Sequence, residues 1–236
     1  MRVLLTRPAE DAARTAEAFA ARGVETLCAP LMQIRRRRVA PEAVRSALEG
    51  AQALLVTSAN GVRALAAATQ ARGIRVLAVG PASAEAARDA GFADVLPADG
   101  DVHALAALVR GRATPGGGPL VHVAGTHRAG DLAAMLARDG FEVRRLVLYE
   151  AVPVAALDRQ SQKALAAGQI DAVAHFSPRS AAVFETLLQA AGLADRAAVL
   201  DALCLSRAVA DALHLPWRAR RVAEHPEVEA LAALVP

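Results

Sequence analysis

Short apolar runs alternate with longer amphipathic segments almost from one end of the chain to the other. The runs are Arg2–Thr6, Val24–Cys28, Ala53–Ser58, Arg75–Gly80, Leu120–Ala124, Glu142–Arg145, Asp171–Ser177 and Val199–Ser206. Their length predicts strands, and the segments between them have the length and spacing of helices, the pattern of a mostly parallel α/β sheet. Helix starters follow the main strands. Thr6-Arg7-Pro8, Ser58-Ala59-Asn60, Gly80-Pro81, Gly125-Thr126 and Ser177-Pro178 each put a hydroxyl, glycine or proline where a first turn leaves its amides without partners. Such helix ends favour anions, and in this topology they gather at the carboxyl edge of the sheet.

The same syntax recurs after roughly half the length. Arg2 to Gln33, with the turn Arg22-Gly23-Val24-Glu25, corresponds to Leu120 to Leu148, with Asp139-Gly140-Phe141-Glu142 at the matching turn. Leu55-Val56-Thr57-Ser58 pairs with His175-Phe176-Ser177, so that Ser58 matches Ser177. Ala78 to Ala86 pairs more loosely with Cys204 to Ala212, and Leu105-Ala106-Ala107-Leu108-Val109 recurs letter for letter at Leu231–Val235. The common order of the four pairings marks an internal duplication. Leu31–Val39 and Leu146–Val154 are extended and end the two equivalent βαβ pieces, so they read as connectors crossing between bodies. A first lobe of residues 1–34 plus 155–236 and a second of 39–148 are therefore expected, with 35–38 and 149–154 as crossovers and Thr114–Pro119 as a surface loop. The cleft between such lobes is the expected functional place.

Composition narrows the classes. At 236 residues, one large or two small cores are the reasonable priors. A hydrophobic fraction of 54% describes a globular chain. The longest apolar runs are too short to cross a bilayer, and Met1 to Arg14 reaches charge and proline before a signal-peptide core, so a cytoplasmic protein without membrane partners is expected. Cys28 and Cys204 read as two buried, reduced thiols, and the sequence implies neither a metal nor an organic cofactor. The net charge of +3 and pI near 9.5 suit nucleic acid, headgroups or an acidic small molecule. With only 3% aromatics there are few stacking platforms for single strands. A small anionic ligand, no nucleic-acid partner and a monomer are the expectation.

The familiar catalytic signatures are missing: no Walker sequence, G-x-G-x-x-G, G-x-S-x-G or H-E-x-x-H occurs. The six histidines are not spaced as ligands, and a structural role is the simpler reading of each. What remains is a row of strand-end hydroxyls, Thr6, Ser58, Ser83, Thr126 and Ser177. Singly each reads as an N-cap worth about 1 kcal/mol. Together, with Arg7, Asn60 and Arg179 in or beside the same turns, they form a candidate substrate-binding set at the level where open α/β sheets bind ligands. Tyr149, the only tyrosine, lies on a proposed crossover and reads either as an amphipathic cover for the hinge or as a catalytic phenol. Arg35 to Arg38 reads as a solvated strand, with at most one guanidinium reaching a ligand.

Val3-Leu4-Leu5-Thr6-Arg7-Pro8, Thr57-Ser58-Ala59-Asn60-Gly61-Val62, Val79-Gly80-Pro81-Ala82-Ser83-Ala84, Gly130-Asp131-Leu132, Leu148-Tyr149 and Phe176-Ser177-Pro178-Arg179-Ser180 follow one another in this order. On these motifs rests a resemblance, over essentially the whole length, to the uroporphyrinogen-III synthase family. It implies two similar parallel-sheet, flavodoxin-like α/β lobes joined by a two-stranded linker, and a lyase without metal or organic cofactor. The substrate would be hydroxymethylbilane, closed with inversion of the terminal ring and loss of water. By resemblance Tyr149 matches the tyrosine proposed to assist departure of the hydroxyl, and Ser58, Ser83 and Ser177 match hydroxyls lining the cleft. One departure stands out. Many members have a Gly-Pro-Thr-Thr-like turn where this chain reads Ser206-Arg207-Ala208-Val209, so no role of those threonines carries over. The competing expectation is a cytosolic bilobal protein that binds an anionic tetrapyrrole-like ligand without transforming it.

Overall fold

In the computed structural model, which describes residues 1–127 and 131–235, the apolar runs become strands of mainly parallel sheets in a mixed α/β fold. The chain runs β1 (Arg2–Leu5), α1 (Ala9–Ala20), β2 (Glu25–Cys28), β3 (Met32–Arg36), α2 (Pro41–Leu48), β4 (Ala53–Val56), α3 (Ala59–Ala68), β5 (Val76–Ala78), α4 (Pro81–Asp89), β6 (Val95–Pro97), α5 (Val102–Arg112) and β7 (Leu120–Gly125). It continues through α6 (Leu132–Arg138), β8 (Val143–Pro153), α7 (Arg159–Ala166), β9 (Ala172–His175), α8 (Pro178–Ala190), β10 (Asp201–Cys204), α9 (Arg207–Asp211), β11 (Ala219–Val222) and α10 (Val228–Ala232). Contacts divide it into two compact units: Met1–Gln33 with the chain from Val152 onward, and Ile34–Ala151.

The first unit holds a sheet in the order β11-β10-β9-β1-β2, and the second holds most of β3-β8-β7-β4-β5-β6. Counted in chain order, the first reads 2-1-3-4-5. The second reads the same once β7-α6-β8 is given the place that β1-α1-β2 has in the first. The βαβ piece of each sequence half thus completes the sheet whose remaining strands come from the other half. Apart from the pairing of β3 with β8, the registers are parallel, from Val3↔Thr26 and Val3↔Ala172 in the first to Leu54↔Val121 and Leu54↔Val76 in the second.

Helices cover both sheet faces, which is why the strands are continuous apolar runs and not alternating ones. In the second unit Leu54, Val56, Val121 and Val123 face one cluster, and Ala53, Leu55, Leu77 and Leu120 face the other. In the first, Leu4, Val173 and Ala202 face one side and Val3, Leu5, Ala174 and Leu203 the other.

Three strands were not foreseen as strands. β6 ends in Pro97 and β11 carries Arg220 and Arg221, and both lie at sheet edges, where proline and charge are tolerated. β3, expected as an extended connector, pairs with the far half of β8. The Arg37 N–H donates to the Leu148 carbonyl at 2.8 Å, and the Val154 N–H to the Leu31 carbonyl at 2.9 Å. Partners therefore run in opposite order and this pair is antiparallel. The expected short strand and following connector are one strand, β8, of 11 residues. Cys204 is buried in the core, and burial pushes its thiol up to about 11. The expectation of a second buried thiol fails: Cys28 ends the edge strand β2 and is exposed. Among the described residues no helix is long and apolar enough to cross a membrane.

Candidate functional site

In a 2-1-3-4-5 sheet the connections leave in opposite directions from the strands at positions 1 and 3, and the crevice outside their carboxyl ends is where such sheets hold ligands. The first unit has this point between β1 and β9, the second between β7 and β4. Most of the candidate residues stand at these two places.

In the second unit the centre is Tyr149. Its phenol oxygen lies 2.8 Å from the Ser58 hydroxyl, and Ser58 is the N-cap of α3, accepting the Gly61 N–H at 3.2 Å. Strict alternation would turn Leu148 and Tyr149 to opposite faces. Both pack on the same cluster, because the β7–β8 register slips between Ala124 and Gly125, where Gly125 faces Tyr149 after Ala124 has faced Val147. The bulge re-aims the ring, a use common beside active sites. Gly125 makes room for it, whereas a side chain at Gly61 would only touch it. A Cβ on Gly125 would stand 2.9 Å from the ring, and one on Gly61 would stand 3.7 Å from it. The Thr126 N–H donates to the Tyr149 carbonyl at 3.0 Å, and Asn60 takes a hydrogen bond from Arg63 at 2.9 Å through Oδ1.

Sequence reasoning missed the groups on the reverse face of that sheet. Arg145 donates to the carbonyls of Gly125 and Thr126 at 2.5 and 3.3 Å. Its neighbour across the strands is His122, whose Nε2 is 3.5 Å from the Thr57 hydroxyl. Burial first, and the Arg145 charge second, push His122 down to about 4, so the imidazole is neutral at physiological pH. The only sequence signal was polar residues inside strands, and their pairing depends on register.

In the first unit Thr6 is buried and donates through Oγ1 to the Ala174 carbonyl at 2.7 Å, tying β1 to β9. The Arg7 guanidinium lies 4.7 Å over the Phe176 ring and donates to Thr15 Oγ1 at 3.1 Å, which holds a cation beside the start of α8. Ser177 caps α8, accepting the Ser180 N–H at 3.1 Å, while Ser180 Oγ accepts the Ser177 N–H at 3.2 Å. This is a reciprocal capping box. Arg179 is half-buried in the same first turn.

Three expected caps are corrected. Pro8 occupies the cap position of α1, so Thr6 falls too early and bonds across the sheet instead. Gly80 caps α4, leaving Ser83 a buried residue of its first turn. Asp131 caps α6, which begins later than expected, and Thr126 is exposed. Arg35 to Arg38 are all exposed. Gly130 of the Gly-Asp-Leu motif lies outside the described residues.

Deeper in the first unit, Glu185 is buried, taking the N–H groups of His214 and Leu215 at 2.9 Å and the Trp217 indole at 2.8 Å. His175, fully buried, packs edge-on against Phe184 and Trp217.

A scan against protein-family models matches uroporphyrinogen-III synthase HemD over residues 13–233. Among solved structures, a uroporphyrinogen-III synthetase from Helicobacter pylori is 17% identical with a TM-score of 0.61, the alignment covering 99% of this chain and 98% of that one. A variant uroporphyrinogen III synthase from the extremely thermophilic bacterium Thermus thermophilus is 21% identical with a TM-score of 0.59, covering 99% and 97%. At these identities the two structures speak for the fold. A search of curated protein sequences returns no match. The family match spans nearly the whole chain, and the chain therefore belongs to the uroporphyrinogen-III synthase family, lyases of tetrapyrrole biosynthesis that cyclise hydroxymethylbilane.

Proposed function

We propose that the reaction runs at the carboxyl-edge switch points, with Tyr149 as hydrogen-bond donor or general acid to the departing hydroxyl. The observation that carries this reading is the 2.8 Å contact between Tyr149 and Ser58. Ser58 already accepts from Gly61. With its own proton turned to the phenol oxygen, the Tyr149 O–H is left to donate to a ligand. Breaking the C–O bond of the hydroxymethyl group releases water and leaves an azafulvenium cation stabilised by the pyrrole nitrogen. Closure through the substituted carbon of the terminal ring gives a spiro intermediate, which fragments and recloses at the free carbon, where the displaced proton is lost. Choosing between the two carbons is a problem of orientation, and restricted geometry contributes up to about 7–11 kcal/mol in such reactions, more than an acid usually does.

The acetate and propionate arms are assigned to the first turns of α3 and α8 and to Arg7 and Arg179, with Thr6, Asn60, Ser83 and Thr126 completing the substrate set. Helix amides and a cation pinned on Phe176 suit carboxylates. The two units are read as flavodoxin-like lobes, residues 1–34 with 155–236 and residues 39–148, and the stretches 35–38 and 149–154 as a two-stranded linker. Their shared strand order and the β3–β8 pairing support that division. A cytoplasmic monomer acting on a small molecule, without nucleic acid, completes the reading, in keeping with the scarcity of aromatics. Freshly generated hydroxymethylbilane given to wild type and Tyr149→Phe tests it. Wild type yields the type III isomer, and the variant turns over about 10²-fold more slowly; full activity in Tyr149→Phe would remove the phenol from the mechanism.

A further inference from the structure

Arg145 and His122 are Cα partners in β8 and β7. Alternation puts them on the face of the sheet that carries Leu55, Leu120 and Val143, whereas Tyr149 packs with Leu146 and Leu148 on the opposite face. The backbone leaving β7 lies between the two. From one side Arg145 donates to the carbonyls of Gly125 and Thr126. From the other the Tyr149 ring packs where a Gly125 side chain would be, and the Tyr149 carbonyl accepts the Thr126 N–H.

We infer that Arg145 is a positioning residue for Tyr149, acting through this segment of backbone. The inference rests on the proposed role of Tyr149 and adds the group that holds the ring in place. A guanidinium kept for substrate carboxylates would aim its N–H groups at the ligand, but one Nη here serves two backbone carbonyls. Both contacts leave one Nη, so a lysine ammonium that reached the two carbonyls would keep part of the anchor, whereas a methionine keeps none of it. His122 fits the same purpose. Being neutral, it adds no second positive charge beside Arg145, and it fills the space between Arg145 and Thr57.

The test uses Arg145→Met and Arg145→Lys in protein carrying ¹³C-labelled tyrosine. The single tyrosine gives one set of ring signals. In ligand-free Arg145→Met those signals shift, kcat falls on the order of 10²-fold, as misplacement of a catalytic group entails, and KM stays within about twofold. Arg145→Lys falls between the two proteins, and it gives the same reading should the methionine variant not fold. A raised KM at unchanged kcat would overturn the inference in favour of direct substrate contact. Lost kcat with unmoved ring signals, or no change in either, would overturn it too. Because the ring signals are read without substrate, they separate this inference from the role of Tyr149, which Tyr149→Phe tests on its own.

Discussion

Acid should weaken the first unit through one residue, His175. Burial pushes its imidazole from 6.5 down to about 3, and its two ring nitrogens have no hydrogen-bond partner among the described residues. Between those values the unfolded chain binds a proton that the folded one refuses. The contribution is therefore fully present above pH 6.5 and is lost as the pH falls through that window towards 3. At about 1.4 kcal/mol per pH unit, the loss by pH 5 is about 2 kcal/mol, a large part of an ordinary domain's roughly 5–15 kcal/mol. His175→Phe keeps a ring against Phe184 and Trp217, now 5.4 and 5.3 Å away between centroids, and removes the titration. Urea unfolding at about pH 7.5 and about pH 5, followed by fluorescence of the single tryptophan Trp217, reports on the same unit. Wild type should lose about 2 kcal/mol more than the variant between the two pH values. Asp201, held below the usual carboxylate range chiefly by its hydrogen bond from Arg218, contributes alike in both proteins and at lower pH. Parallel losses in the two proteins would refute the reasoning.

Three further outcomes are expected. Ser58→Ala removes the α3 cap and the partner of the Tyr149 phenol; the second unit should lose about 1 kcal/mol in thermal or urea unfolding, and steady-state turnover should fall with it. Gly125→Ala places a methyl 2.9 Å from the Tyr149 ring, whereas at Gly61 the ring is 3.7 Å away, so kcat should drop more for Gly125→Ala than for Gly61→Ala. Glu185→Leu takes the acceptor from three N–H donors, of which the Trp217 indole is buried and those of His214 and Leu215 are partly so; at about 1–3 kcal/mol for the buried indole alone it should lower the urea midpoint of the first unit, while Glu185→Gln costs less.

Much of the α/β order was readable because both faces of each sheet are covered, which leaves unbroken apolar runs at Leu54–Val56 and Val3–Leu5. Ser58 and Ser177 were readable as caps because each immediately precedes its helix. Thr6, Ser83 and Thr126 misled for one physical reason: a hydroxyl near a helix start caps only from the residue that immediately flanks the first turn, and Pro8, Gly80 and Asp131 hold those positions. The bulge that aims Tyr149 has no sequence signature. Arg145 and His122 were not legible as a pair, since parallel register brings together residues far apart in the chain with no local pattern to announce it.

The account turns on Tyr149 meeting the ligand at the second unit's switch point. Titrating ¹³C-tyrosine protein with uroporphyrinogen III tests that most directly, the bound fraction being measured independently by equilibrium dialysis. The account predicts that the single set of ring signals shifts saturably with occupancy, and that Ser58→Ala alters the shift. Full occupancy with the ring signals unmoved would contradict it.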